Sequence, residues 1–203
     1  MYLGSLLCSD GTSGSELNRR LGGARETFTK LCRIWNHTGI STKRKLHIYT
    51  ACVVTKLTHN LHALLLNAAA QRTLDAFHLK CLRRILHIPH SFYSHISNHI
   101  VLERAGSNNL SRTLLHRQLD LLHRLALRND SDIMRKSVFK PGSFELNLPV
   151  GPKKRGRPKK LWAPVMFEHA VRAVGSQGRL NQLWQDTRAA KAAWKNCLCV
   201  YCK

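Results

Sequence analysis

One amphipathic helix is the clearest feature of this sequence. Residues 74–86 read Leu-Asp-Ala-Phe-His-Leu-Lys-Cys-Leu-Arg-Arg-Ile-Leu. Apolar side chains recur there at spacings of three and four residues, which predicts a helix with one face in a core. Arg72, Lys80, Arg83 and Arg84 supply the charge of the predicted helix. We expect the helix to run from about Ala69 to Ile88, because Pro89 cannot continue it.

The same periodicity predicts further helices on both sides of this one. They cover about residues 16–36, 42–66, 98–105, 111–128, 161–174 and 180–194. Ser41 and Ser97 precede two of them and are suited to cap them. The sequence therefore predicts an all-α fold, a helical bundle, in which Trp35, Tyr49 and Phe77 belong to the core because each lies on an apolar stripe.

Composition divides the chain into four segments. They are a short strand and turn (1–13), a helical domain (14–128), a Pro/Gly-rich linker with a basic run (129–160), and closing helices with a cysteine-containing tail (161–203). The linker is predicted from Pro141, Gly142, Pro149 and Gly151, which interrupt any periodicity.

Charge is the strongest constraint on partners. The 203 residues include 33 Lys and Arg against 11 Asp and Glu, for a net charge of +22. Between Thr27 and Leu102 the one acid is Asp75, and nine of the twelve histidines lie in the same interval. A surface this positive predicts a nucleic-acid partner; a merely soluble basic protein and an anionic membrane surface are the alternatives. The candidate phosphate contacts on the helices are Lys43, Arg44, Lys45, Lys80, Arg83 and Arg84.

The densest basic run lies in the linker. It consists of Lys153, Lys154, Arg155, Gly156, Arg157, Pro158, Lys159 and Lys160. Glycine lets a backbone approach the floor of a groove and proline keeps it extended, so two splayed arginines suit an A·T-rich minor groove, as in an AT-hook. The run also fits a nuclear-import signal or a solvated basic linker.

The acidic residues of the sequence are too scattered to predict a catalytic metal site. Two-metal phosphoryl transfer needs carboxylates a few ångströms apart, and the one close pair, Asp130 and Asp132, is better explained by a turn and a helix N-cap. The sequence also lacks a phosphate loop and a glycine-rich nucleotide fingerprint.

Cysteine spacing predicts free thiols. Cys197, Cys199 and Cys202 could be zinc ligands, with His169 as a fourth through tertiary contact, but no second pair lies nearby, so we expect no zinc. Seven cysteines without a signal peptide indicate a reducing intracellular compartment, with the nucleus favoured over the cytoplasm. No run approaches the roughly 18 apolar residues that a membrane span needs, so no membrane partner is expected.

Several motifs, in order, resemble one family. They are Tyr2-Leu3-Gly4-Ser5, Ile40-Ser41-Thr42-Lys43-Arg44-Lys45-Leu46-His47-Ile48-Tyr49, Leu74 to Leu86, Ile96-Ser97-Asn98 and Arg155-Gly156-Arg157-Pro158-Lys159-Lys160-Leu161-Trp162. Together they resemble the C-terminal part of non-LTR (LINE-type) retrotransposon reverse transcriptases that carry an apurinic-type endonuclease. The family's closing acid-Arg-x-x-Trp is matched only loosely, by Asp186, Arg188 and Trp194.

The resemblance implies a thumb-like helical region that holds a primer–template duplex (RNA–DNA or DNA), followed by a basic tail. It also implies that the catalytic Tyr-x-Asp-Asp motif and its Mg²⁺ belong before Tyr2, so we expect no catalytic residue and no cofactor in this chain. The function expected is a non-catalytic, nucleic-acid-binding fragment of an RNA-directed DNA polymerase. The alternatives are a nuclear DNA-binding accessory protein acting through the AT-hook-like run, and a translation product without function.

Overall fold

The computed structural model describes residues 14–148 and 160–202 and divides the chain into two compact units, Met1–Leu114 and Leu115–Lys203. The helices are α1 (Gly14–Lys30), α2 (Cys32–Asn36), α3 (Thr42–Tyr49), a π-helical turn (Thr50–Val54), α4 (Thr55–Thr58), a 3₁₀ turn (Leu61–Ala63), α5 (Ala68–Ile85), α6 (Ser91–Ser94), α7 (Asn98–Ala105), α8 (Leu110–Ala126), α9 (Ile133–Lys136), α10 (Trp162–Val174), α11 (Gln177–Leu183) and α12 (Arg188–Tyr201). The described ranges contain no strand, only one isolated bridge between Phe139 and Leu146. The all-α prediction is confirmed for these ranges; the predicted strand at residues 1–13 lies outside them.

The first unit is organised around α5. Leu74, Phe77, Cys81, Leu82 and Ile85 are buried on one face of this helix, and α1, α2, α3 and α7 all contact it. The predicted apolar stripe of residues 74–86 is therefore the core-facing side of the helix, as expected.

The core predictions for three aromatic residues are confirmed. Trp35 and Tyr49 are almost fully buried and Phe77 is 8% exposed. Phe28 stacks on Trp35 with ring centroids 5.1 Å apart, and the Trp35 indole N–H donates to the Phe28 carbonyl at 2.8 Å. These rings join α1, α2 and α3 and are not available as stacking platforms for a ligand.

The two predicted serine caps are also confirmed. The Ser41 hydroxyl accepts from the Arg44 backbone N–H at the start of α3, and Ser97 accepts from Ile100 at the start of α7. Asn67, which pattern alone did not single out, caps α5 in the same way.

The prediction of one helix over residues 42–66 is wrong in its second half. The helix widens into a π-helical turn at Thr50–Val54 and ends at Thr58. The Thr55 hydroxyl donates to the Thr50 carbonyl five residues back, and threonine hydroxyls that bond the preceding turn bend helices. Asn60 then adopts a left-handed conformation, φ 59°, which stops the helix.

The second unit corrects the linker prediction for residues 129–148. Asp132 caps α9 by accepting from the Met134 and Arg135 backbone N–H groups, as the turn-and-cap interpretation of Asp130 and Asp132 predicted. Arg135 then ties the segment down: it is 6% exposed, pairs with Asp130 at 2.7 Å, and donates to the Ala126 and Ser143 carbonyls. This part of the supposed linker is therefore packed structure.

Four aromatic rings surround Trp184 in the core of the second unit. Phe139, Phe144, Phe167 and Trp194 have ring centroids between 5.5 and 6.1 Å from it, all near perpendicular. The predicted helix over residues 180–194 is two helices, α11 and α12, because Trp184 leaves the helix to enter this cluster and Thr187 caps a new one.

Candidate nucleic-acid interface

A row of bases lies on the solvent side of α5. Arg72, Lys80 and Arg84 are exposed, as is Ala76 between them, and these positions recur every four residues. Side chains four apart are neighbours on a helix, although each step of four turns the row by about 40°, so the row winds slowly along the helix. At 1.5 Å per residue it spans about 18 Å. We call Arg72, Lys80 and Arg84 the basic ridge. Successive phosphates of one strand are about 3.4 Å apart along the duplex axis, so the ridge is long enough to meet several of them.

The charges of the first unit are largely unneutralised. Ten exposed bases of this unit form no salt bridge with any residue in the described ranges. They are Arg25, Arg33, Lys43, Arg44, Lys56, Arg72, Lys80, Arg84, Arg104 and Arg112. Over residues 14–114 the sequence has fifteen Lys and Arg against four Asp and Glu. Intramolecular pairing therefore cannot neutralise this surface.

The second unit contrasts with the first. Each of its six acids in the described ranges is paired with a base, in the pairs Asp120–Arg124, Asp130–Arg135, Asp132–Arg128, Glu145–Lys140, Glu168–Arg172 and Asp186–Lys191. Half of its twelve described bases are thereby neutralised. Among the described residues, the unpaired positive charge is therefore concentrated in the first unit.

Lys43 and Arg44 lie in the first turn of α3, which contains no acid. Cations at a helix N-terminus oppose the macrodipole, so these two residues cost the helix a small amount of stability. Both are exposed. The fold thus gives no reason for their charge, whereas a phosphate ligand would.

Two of the predicted phosphate contacts are instead buried. Lys45 is 5% exposed, and its ammonium donates to the Trp35 carbonyl at 2.8 Å, near the C-terminus of α2. Arg83 is 7% exposed and donates to groups of the following loop. Sequence pattern could not separate them from their neighbours Arg44 and Arg84, because in each case two adjacent bases point in different directions.

Arg72 belongs to the ridge although it is not one of the six helical candidates. The spacing of four residues from Arg72 through Ala76 to Lys80 and Arg84 is the signal that identifies it.

A buried imidazole joins α3 and α5 to the loop before α8. The Tyr49 hydroxyl lies 2.9 Å from His78 Nδ1, and His78 Nε2 lies 3.1 Å from Ser107 Oγ. Ser107 in turn donates to the Asn108 carbonyl at 3.3 Å. This chain fits a neutral imidazole that accepts from Tyr49 and donates to Ser107. Burial lowers the pKa of His78 to about 4.

The Ser107–His78 distance is also that of a nucleophile and its base, but the surroundings differ from a catalytic pair. The group that orients His78 is a phenol, and burial raises its pKa, whereas a catalytic histidine is held by a group that stabilises the imidazolium. His78 is 2% exposed. The cluster therefore fixes the packing of α3 against α5.

Asp75 is used in the fold as well. Its carboxylate accepts from the backbone N–H of Ser111 at 2.8 Å and from the Ser111 hydroxyl at 2.6 Å, near the N-terminus of α8. The single acid between Thr27 and Leu102 thus stabilises a helix start and leaves the basic ridge uncompensated.

A cavity of about 460 Å³ lies within the second unit, between α8 and α12. Asp120, His123, Asp186 and Trp194 are among its lining residues. Asp120 pairs with Arg124, and Asp186 pairs with Lys191, which lowers the pKa of the Asp186 carboxyl. Both carboxylates of the described lining are therefore committed to ion pairs, which does not favour acid–base chemistry there.

The cysteines of the tail lie on or beside α12. Cys197 is half-buried, Cys199 is exposed and Cys202 is buried, so the three do not share an environment. In residues 14–148 and 160–202, no group of three or more His, Cys, Asp or Glu is arranged to hold a metal ion. Within the same ranges, no helix is long and apolar enough to cross a membrane.

The AT-hook-like run lies outside the described residues, except for Lys160, which is exposed. Its contribution is therefore argued from sequence alone.

Comparison of this chain with protein-family models, with curated proteins and with solved structures found no match.

Proposed function

We propose that residues 14–114 bind the backbone of a nucleic-acid duplex, the task that the family resemblance implies for the thumb-like region of a retrotransposon RNA-directed DNA polymerase. The observation that carries the proposal is the basic ridge of α5, with Lys43 and Arg44 as further contacts. These five bases are exposed, and none has an ion-pair partner in the described ranges.

The physical basis is counterion release. Each phosphate neutralised by Lys or Arg frees condensed cations, which makes affinity fall steeply with salt. Contacts of this kind are independent of sequence, so they would hold a duplex in position without reading its bases.

The test is a fluorescence-anisotropy titration of a 20-base-pair RNA–DNA hybrid over a range of salt concentrations. The variant replaces Arg72, Lys80 and Arg84 with glutamine. If all three contact phosphates, the slope of log affinity against log salt becomes shallower by about 2.7, at roughly 0.9 per contact.

A matched control removes the same charge elsewhere. Lys136, Arg179 and Arg188 are exposed bases of the second unit, and replacing these three with glutamine should leave the slope nearly unchanged. Equal loss in both variants would mean diffuse attraction to net charge, and a wild-type affinity insensitive to salt would end the proposal altogether.

A second candidate function rests on Arg155-Gly156-Arg157-Pro158. A DNA-binding accessory protein acting through this run would prefer A·T-rich over G·C-rich duplex, and it would lose that preference when Arg155 and Arg157 become alanine. Including both duplexes in the titration separates this function from backbone binding.

A further inference from the structure

Two aromatic side chains of the first unit project into solvent. Phe92 and Tyr93, on α6, are each 76% exposed. Ile100 is the next most exposed large apolar side chain among the described residues of this unit, and it is only 38% exposed. Single exposed apolar residues are common on proteins. Two adjacent rings with most of their surface in water expose more apolar area, so a ligand that covered both would gain more free energy from removing that area from water.

The two rings have a defined mutual geometry. Their centroids are 5.3 Å apart and their planes are inclined at 87°. A planar group that lay flat on one ring would therefore stand perpendicular to the other. The pair forms a corner for one planar ligand, and we call Phe92 and Tyr93 the aromatic corner.

A buried arginine holds the loop that carries this corner. The Arg83 guanidinium donates to the Pro89 carbonyl at 3.1 Å, the Ser94 hydroxyl at 3.4 Å, the Ile96 carbonyl at 2.6 Å and the Asn98 side-chain oxygen at 3.1 Å. The Ser94 hydroxyl also lies 3.2 Å from the Pro89 and His90 carbonyls. Hydrogen bonds therefore hold the loop on both sides of α6. Because the loop is already held, binding a ligand there would cost little conformational entropy.

The surroundings of the aromatic corner are cationic and polar. From Ala76 to Leu102 the sequence contains no Asp or Glu. His87, His90 and His95 are exposed on the same loop, and Arg84 of the basic ridge is exposed at the end of α5. Ser91 and Ser97 add exposed hydroxyls. The loop that carries the rings is therefore rich in exposed hydrogen-bonding groups, lacks acids and follows directly on the basic end of α5.

We propose that the aromatic corner stacks an unpaired nucleobase of single-stranded nucleic acid. This inference rests on the proposed nucleic-acid binding and adds base stacking to the backbone contacts. Aromatic rings within a positive surface are the combination that binds single strands, because every base offers a flat face and every nucleotide a phosphate. In a duplex the bases already stack on one another, so the corner is selective for unpaired nucleotides.

The test compares single-stranded and duplex oligonucleotides with the full chain. Phe92 and Tyr93 are replaced by alanine together, and affinity for a 12-nucleotide oligothymidine is measured beside affinity for a 12-base-pair duplex. Stacking on aromatic side chains contributes enough per base that we expect about a tenfold or larger loss for the single strand and less than a twofold change for the duplex. A uridine oligonucleotide of the same length shows whether RNA and DNA strands are both accepted.

A matched control and a direct stacking signal accompany the affinities. Ile133 and Met134 are two adjacent exposed apolar residues on another short helix, 82% and 54% exposed, and alanine at both should leave single-strand binding unchanged. A 2-aminopurine base within the strand should be quenched by the wild type and not by the Phe92→Leu, Tyr93→Leu variant, which keeps apolar area but lacks a π-face.

Several results would overturn the inference. One is an equal loss on single strand and duplex. Another is unaltered 2-aminopurine quenching in the leucine variant. A third is that the alanine variant loses binding to phosphatidylserine vesicles, or loses self-association, while its oligonucleotide affinity is unchanged. If wild type binds duplex normally but not the single strand, this inference fails and backbone binding stands; if it binds neither, the proposed function fails as well.

Discussion

Replacing His78 tests how the buried imidazole contributes to stability as a function of pH. In the folded chain burial lowers the pKa of His78 to about 4, against an ordinary value of 6.5. As pH falls below 6.5 the unfolded chain binds a proton that the folded chain refuses, so stability is lost between pH 6.5 and pH 4 and is fully present above that window. The difference of about 2.5 pH units corresponds to about 3 kcal/mol, at 1.36 kcal/mol per unit.

The comparison is between wild type and His78→Gln, because glutamine can still accept and donate hydrogen bonds but does not titrate. Urea unfolding is followed through the indole N–H resonance of Trp35, whose bond to the Phe28 carbonyl exists only in the folded first unit. We expect the stability advantage of wild type to shrink by about 1.4 kcal/mol per pH unit across the window. Histidines of the second unit with lowered pKa, His123 and His169, are unchanged in the variant and cancel in the difference.

An independent measurement is the titration of the His78 ring resonances in the folded protein. A midpoint near 6.5, or a His78→Gln variant with the same pH dependence as wild type, would refute the assignment of His78 as a buried neutral group.

Two further substitutions probe the other buried polar contacts. Asp75→Ala removes the carboxylate that accepts from the Ser111 N–H and hydroxyl, so it should lower the stability of the first unit by about 1–3 kcal/mol in urea unfolding. The control is Glu103→Ala at an exposed acid, which should change the stability by less than about 0.5 kcal/mol. Arg135→Met strands the Ala126 and Ser143 carbonyls and should destabilise the second unit by about 2 kcal/mol or more, read from the fluorescence of its tryptophans. Arg135→Lys, which keeps the charge but not the planar fork, should fall between, and a fully stable Arg135→Met would restore the linker interpretation of residues 129–148.

Local sequence signals predict where α3, α5 and α7 begin, but the single helix predicted over residues 16–36 is two helices, α1 and α2, and α6 was not predicted. The caps at Ser41 and Ser97 and the apolar stripe of residues 74–86 depend on neighbouring residues only, and the structure contains all three. Helix ends were harder, because the end at Thr58 depends on threonine hydroxyls bonding to carbonyls one turn back and on the left-handed Asn60. Neither effect appears as a change in hydrophobic pattern.

The packed state of residues 129–148 could not have been predicted from composition. The segment contains proline and glycine and little periodicity, yet one buried arginine organises it through carbonyls and two phenylalanine rings, about 5.5 Å from its guanidinium. These contacts join one side chain to backbone carbonyls eight and nine residues away, and they depend on how the backbone turns between them, so hydrophobic periodicity does not indicate them.

The candidate interface shows the same division between local and tertiary information. The sequence predicts Lys45 and Arg83 as phosphate contacts together with Arg44 and Arg84. Tertiary structure separates them, because Lys45 and Arg83 are buried whereas Arg44 and Arg84 are exposed. The aromatic corner was missed because Phe92 and Tyr93 carry no periodic signal. The loop that carries them is held by hydrogen bonds from Arg83, and no sequence pattern indicates those bonds.

The exposed bases of α5 are those that the fold needs least, and this is the strongest physical argument for a partner. His78, Cys81 and Arg83 each have a structural task on the same helix. Lys80 and Arg84 are like charges one turn apart, an arrangement that destabilises an isolated helix by a few tenths of a kcal/mol, and the described ranges provide neither with a carboxylate. Arg84, in the last turn, recovers part of that cost from the helix dipole, but Lys80 in the interior does not. A charge that costs the folded chain stability and is matched by no carboxylate in the described ranges is best explained by an external anion. The length of the ridge, about 18 Å, favours an extended anion over a small one.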